Sequence, residues 1–470
     1  MTFISNSPPV TENGIKGKPY IIVSAKGIVN SLSDIPNDGA DFGPDTMLNA
    51  TDPSQIGPPY TQTFGLAEAT YYQYYIDYKK IFLMPGIYSI WAQIPLYPRT
   101  YIEGSQNWGT EQATGQISVL FLGTDFGTNT VMPFTGYTSS NEYLMSITLK
   151  NFHLDAGSRT GKAWIDFSVL PEGANSSILE DLWFGNGQNL QYDLILDHAE
   201  EVRLIRSRGT TNISIAAYGG SAYMRGGSAW NIAVGAGLMR IEGVCIGGSV
   251  ILNGGNYTSN SAPAIPITYL DSVWFNQLPA SPFYIGSSVR TQYVYCNNCH
   301  FDLNQNNGSP YPIFNLASGV SSGSVYAVFN NISMGSSNIA SSGFVPIPMF
   351  TSEVTGRVII NNLKVDQTNL QVPAVFSDWP NWLVDFNPKN ASIFSITTPA
   401  VPASGTAITN TYPFAVDIYI TNAGSVSSYE INNLTISAGL SVGQKITLAP
   451  GWSLTLTYST APTWSWAYHV

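Results

Sequence analysis

One short pattern recurs eight times between residues 150 and 365, and it limits the chain to a stacked architecture. Each copy holds an outward residue, a turn residue, and then apolar–any–apolar. The copies read Lys-Asn-Phe-His-Leu (150–154), Glu-Asp-Leu-Trp-Phe (180–184), Thr-Asn-Ile-Ser-Ile (211–215) and Glu-Gly-Val-Cys-Ile (242–246). They continue as Asp-Ser-Val-Trp-Phe (271–275), Asn-Asn-Cys-His-Phe (297–301), Asn-Asn-Ile-Ser-Met (330–334) and Asn-Asn-Leu-Lys-Val (361–365). The turn residue steps by 26 to 33 positions, and a repeat of that length marks stacked structural units.

Two positions before the turn the residue is again apolar (Leu149, Leu179, Ile241, Leu270, Cys296, Phe329, Ile360), with Thr210 the exception. Apolar side chains at −2, +1 and +3 are a period-two pattern broken once, so two short strands meet at a corner. The corner is Asn, Asp, Gly or Ser in every copy, residue types that tolerate a left-handed backbone or bond their own main chain. Stacked asparagines can also hydrogen-bond along their column. One unit cannot bury its own apolar face, but a stack roughly 4.8 Å apart can. Leucine-rich repeats are shorter, and propeller blades need about 40 residues or more. The pattern predicts a parallel β-helix with rungs of about 30 residues, and Lys-Asn-Ala-Ser-Ile (389–393) as a degenerate ninth copy.

Three further segments carry a family resemblance. They are Gly39-Ala-Asp-Phe-Gly43, Lys80-Ile-Phe-Leu-Met-Pro-Gly-Ile-Tyr88 and Leu96-Tyr-Pro-Arg-Thr-Tyr-Ile-Glu-Gly104. With the repeat, they make residues 36 to about 390 resemble the pectate-lyase-like (pectin lyase-like) superfamily of right-handed, single-stranded parallel β-helices, above all its viral tailspikes. The resemblance implies the fold far more than a function, since that superfamily holds lyases, hydrolases, tailspikes and adhesins.

The expected class is all-β, in four parts. Residues 1–35, with Pro8, Pro9, Gly14, Gly17 and Pro19, read as an extended arm. Residues 36–104 read as a cap with the first rungs, and 65–75 is the one good helix candidate there. Residues 105–395 form the helix proper. Residues 396–470 change to longer alternating strands separated by Asn422-Ala-Gly and Pro450-Gly, a small C-terminal β-sandwich. The ending Ala461-Pro-Thr-Trp-Ser-Trp resembles C-terminal modules of viral structural proteins.

Only 10% of residues are charged and the net charge is −11, which argues against nucleic acid or anionic membrane as partners. No apolar run is long enough to span a membrane, and the first residues lack the form of a signal peptide. Cys296 and Cys299 match half a zinc site or a haem attachment, but both fall in inward columns, so no cofactor or metal is expected. Sequons occur at Asn49, Asn175, Asn212, Asn256, Asn307, Asn331, Asn390 and Asn433; Asn212 and Asn331 lie in the corner column.

Two outward columns carry the candidate chemistry. At +2 stand His153, Trp183, Trp274 and His300, with Ser214, Cys245, Ser333 and Lys364; flat aromatic faces with polar tips suit sugar rings or a subunit interface. At −1 stand Glu180, Glu242 and Asp271, with Glu242 and Asp271 one rung apart and Glu180 two rungs from Glu242. Carboxylates about 5 Å apart match a retaining glycosidase pair, though outward carboxylates are ordinary on strands. Asp197 and His198 offer a weaker proton-transfer pair beside Arg203, Arg206 and Arg208, where a solvated ion-pair cluster is the simpler reading. The leading expectation is a non-enzymatic virion surface protein, located on the virion or otherwise extracellular. It would dock to other virion proteins, touch host cell-surface glycan, and form the homotrimer that the tailspike resemblance implies. The alternative is a polysaccharide lyase or glycoside hydrolase working in the β-helix groove.

Overall fold

The computed structural model describes residues 20–23, 66, 69–70, 73–74, 78–90, 94–105, 118–122, 134–136, 144–155, 163–166, 174–185, 190, 192, 194–195, 201–209, 212–215, 221–235, 237–253, 266–276, 280–286, 290–302, 311–335, 349–365, 383–387, 396–412 and 415–469. The Gly39–Gly43 motif, Asp197, His198 and residues 389–393 lie outside them. The chain divides into two compact units, Met1–Trp274 and Phe275–Val470.

Among the described residues of the first unit every ladder is parallel, and consecutive rungs lie in register. Thr148–Asp155 pairs with Ile178–Gly185, which pairs with Val202–Ile205. From there the stack runs through Ser221–Arg225 and Leu238–Glu242 to Ile267–Asp271. A second parallel sheet returns the chain, with Asn212–Ile215, Asn231–Val234 and Val250–Leu252 side by side. This is a parallel β-helix. Its interior columns are apolar because alternate residues of each strand point inward. Leu149, Leu179, Leu204, Met224, Ile241 and Leu270 lie one above another, none more than 1% exposed where the stack is filled by Leu and Ile. Each such burial is worth about 1.5–3 kcal/mol.

The corners confirm the left-handed bend and correct its spacing. Positive φ is found at Asn151 (62°), Asp181 (52°), Gly243 (61°) and Ser272 (55°). Asn212 lies instead in the returning sheet, opposite Asn231. The corners between Asp181 and Gly243 are Arg206 (φ 51°) and Gly226 (φ 62°), so two rungs occupy the place expected for one. Thr211–Ile215 is therefore not a copy of the repeat, Ser214 is not in the +2 column, and Glu180 stands three rungs from Glu242 rather than two. An apolar alternation is common to both sheets, and Asn212 happened to sit at the right distance. The corner steps here shorten to 25, 20 and 17 residues.

At the start of the chain, Tyr20–Val23 falls inside the expected arm but is a strand, paired in register with Lys80–Leu83. Leu66, Ala69, Thr70, Gln73 and Tyr74 are helical, and the first four are buried, as the 3.6-residue period requires. The Gln73 amide donates to the Tyr101 carbonyl at 3.3 Å and accepts from the Tyr101 N–H at 3.2 Å, standing in for a neighbouring strand at that point. Among the described residues no helix is long and apolar enough to cross a membrane.

The second unit continues the same construction. Thr291–Asn297 and His300–Asp302 pair with Gly323–Gly335, which pairs with Val354–Val365 and then with Leu383–Asn387, all parallel. The last pairing sets Asn387 beside Asn361. The interior is aromatic: Phe283, Phe301, Phe314 and Phe329 are fully buried with ring centroids 5.0–6.4 Å apart. Cys296 and Cys299 are buried, at 0% and 1% exposure, and burial pushes the Cys296 thiol well up. The same unit ends in two antiparallel sheets. Ala407–Thr409, Ser453–Tyr458, Val426–Ile431 and Leu434–Ile436 form one; Lys445–Leu448, Val416–Asn422 and Thr463–Tyr468 form the other. Their buried residues include Ile418, Ile446, Leu454, Leu456, Trp464 and Trp466.

Candidate functional site

Two outward surfaces of the first unit hold the predicted side chains, one on each side of the corner. Ahead of the corner, strand register builds the −1 column as Lys150, Glu180, Ile205, Arg225, Glu242 and Asp271. The column beside it is Ile178, Arg203, Tyr223, Arg240 and Tyr269. Five of the chain's nine arginines fall between 203 and 240, and four of them face this side.

The carboxylates here are engaged. Arg206 reaches back one rung to Asp181 with Nε (2.8 Å) and Nη2 (2.6 Å), and Nη2 also bonds Glu180 at 2.7 Å. The bond to Asp181 raises the Arg206 pKa further, so the guanidinium stays charged. Glu242 accepts the Tyr223 hydroxyl, a bond that raises the phenol pKa, and Arg225 lies 3.7 Å away. Asp271 is in register with Glu242 on the next rung and accepts from Ser272 at 3.1 Å. So Glu242 and Asp271 are neighbours as expected, while Glu180 is separate and bound to a guanidinium.

A shallow depression of about 1000 Å3 opens on this face, lined by Glu180, Glu201, Arg203, Arg206, Tyr223, Arg225, Leu238, Arg240 and Glu242. It lies over the shortest rungs. Only residues 235–237 separate Val234 from Leu238 on this face.

Past the corner, the +2 column is less uniform than its sequence suggests. His153 is fully buried instead of outward: Trp183 stacks on it at 4.5 Å, and its ring fills the space above Gly185. Burial lowers its pKa, with Asp155 opposing, so the imidazole is held neutral. Trp183 is half-buried by the same stack. Trp274 is 49% exposed and donates its backbone N–H to Val244. In the second unit, His300 is half-buried, with Nδ1 2.7 Å from the Ser333 hydroxyl.

Pattern reading missed Trp230. It is 46% exposed, and its ring lies so close over Gly247 that a Cβ there would sit 2.7 Å from the indole. Ser228, Cys245 and Gly247 are the small outward residues around Trp230 and Trp274. The missing signal was the Gly226-Gly227 corner, which would have placed Trp230 on an outward strand.

No family model matches the chain, and no curated protein matches it. Among solved structures, the tailspike protein of Acinetobacter phage vB_ApiP_P1 is similar at 10% identity and a TM-score of 0.31, covering 85% of this chain and 84% of that one.

Proposed function

We propose that this chain is a structural and attachment protein of a virion surface, a stiff β-helix that carries a glycan-contact face. The helix acts as a spacer, the segment ahead of it docks to other virion proteins, and three copies assemble around it. The carrying observation is the pair of exposed indoles, Trp230 and Trp274, on one side of in-register rungs, with Ser228, Cys245 and Gly247 beside them. Flat aromatic faces beside small side chains suit pyranose rings, and rigid strands fix their positions without ordering cost on binding.

Polysaccharide cleavage is the second reading, and the register of Glu242 beside Asp271 is what favours it. The tie from Glu242 to Tyr223 and Arg225 weighs against it, because a catalytic carboxylate must be free to reach the glycosidic bond. Incubation of the full chain with host envelope or capsule glycan tests both. Retention of uncut glycan, weakened at least tenfold by Trp230→Ala with Trp274→Ala, is expected. Shortened oligosaccharides that disappear in Glu242→Gln or Asp271→Asn would replace the attachment reading with an enzyme.

A further inference from the structure

We infer that the arginine-lined depression ahead of the corner binds an acidic saccharide, so that the glycan this chain attaches to bears carboxylate or sulfate groups. The inference rests on the attachment reading above and names the class of its ligand. Its basis is a local concentration of guanidinium groups in an acidic chain. The chain carries −11 overall and repels polyanions, yet four guanidinium groups and three carboxylates line this one depression.

The carboxylates already have partners. Glu180 is held by Arg206, Glu242 by Tyr223 and Arg225, and Glu201 accepts from Ser176 at 3.1 Å. Arg203 and Arg240 are exposed and, among the described residues, make no ion pair. Register sets them in one column on either side of Tyr223, two rungs apart and so roughly 10 Å from each other. Arg240 lies 5.8 Å from the Tyr269 ring centre, which makes the column guanidinium, phenol, guanidinium, phenol. Planar guanidinium forks take a carboxylate or sulfate through two parallel N–H bonds, and the phenol between them offers a face for the ring that bears the anion. The bond from Tyr223 to Glu242 fixes that phenol in place. The volume, about 1000 Å3, is at the upper end of small-ligand sites and leaves room for a short oligosaccharide.

The test uses the full chain and five probes: polygalacturonate, its carboxyl-reduced form, dextran sulfate, dextran and polyglutamate. Binding is measured by calorimetry at low and at 0.5 M salt, for the wild type and for Arg203→Gln with Arg240→Gln. Circular dichroism checks that the variant keeps its fold. The expected result is binding of polygalacturonate, dextran sulfate or both, weakened by salt and at least tenfold by the double variant, with no comparable binding of the neutral polymers; the two acidic arms separate carboxylate from sulfate. Equal binding of the reduced polymer, or an unaffected double variant, overturns the acidic preference and leaves glycan attachment standing. Polyglutamate bound with the same loss in the variant overturns the saccharide and assigns the depression to an acidic protein face. If no saccharide binds in any arm, the inference falls, and the attachment reading is decided separately by retention of host glycan.

Discussion

The rung around Arg206 and the rung around Asn331 turn the same corner, each at φ 51°, with opposite chemistry. In the second unit the corner is an amide ladder. Asn362 donates to Asn331 at 2.8 Å and Asn331 to Asn298 at 3.5 Å, while Asn361, Asn330 and Asn297 form a second ladder beside it at 2.8 Å per step. Each amide is both donor and acceptor, so identical residues can stack without limit and without charge. In the first unit the ladder is replaced by one charged clasp, Arg206 on Asp181 and Glu180, and by a glycine corner after it. A self-complementary column builds a uniform wall. A clasp between unlike residues ends after one step and leaves arginines facing outward, which is where the depression lies. Regularity and a binding surface are alternatives for the same positions.

The glycine corner gives the largest expected effect. Gly227 has φ 87°, and a Cβ there would collide with the Ser207 backbone carbonyl one rung away. Gly227→Ala combines a left-handed penalty with a backbone clash that no rotamer relieves, and should cost about 3 kcal/mol. A thermal midpoint within error of wild type would show that the short rungs are not packed this tightly. Arg206→Ala comes next, at about 1–2 kcal/mol. The figure is discounted because Arg206 is more than half exposed, although Asp181 beneath it is nearly buried. Arg206→Gly should recover about 1 kcal/mol of that loss by relieving the left-handed backbone. If alanine and glycine behave alike in urea unfolding, the clasp rather than the backbone sets this corner.

The stacked class, the inward cysteines and the polar corner were readable because each follows from a strict local rule. Period-two alternation fixes which side a residue faces, and only a few residue types accept positive φ cheaply. Arg206 was unreadable on that same rule: arginine is a poor left-handed residue, and what stabilises it there is Asp181, 25 positions away. Asn212 was misread for the converse reason, a good corner residue placed on a strand of the returning sheet. Burial of His153 also depends on a long-range fact, the Trp183 ring on the next rung. For the candidate site, Glu242 beside Asp271 was legible from the repeat, while the Arg203–Tyr223–Arg240 column required the two short rungs that the even spacing concealed.

The smallest expected effect lies in the amide ladder, and it measures what that ladder contributes beyond its backbone shape. Asn331 is exposed, so its two side-chain bonds compete with water, and each is worth well under the 0.5–1.5 kcal/mol of a protected bond. Asn331→Gly removes both but also relieves the positive φ, so the two terms nearly cancel and the net change should be a few tenths of a kcal/mol. Asn331→Ala loses the bonds and keeps the strain, and should cost about 1 kcal/mol more than glycine. Thermal unfolding of the pair separates two accounts of the wall. A large loss in Asn331→Gly would mean that the amide column itself holds the rungs in register. A small loss, with alanine clearly worse, would mean that asparagine stands at these corners first for its backbone, and that the hydrogen-bonded column follows from stacking residues selected for the turn.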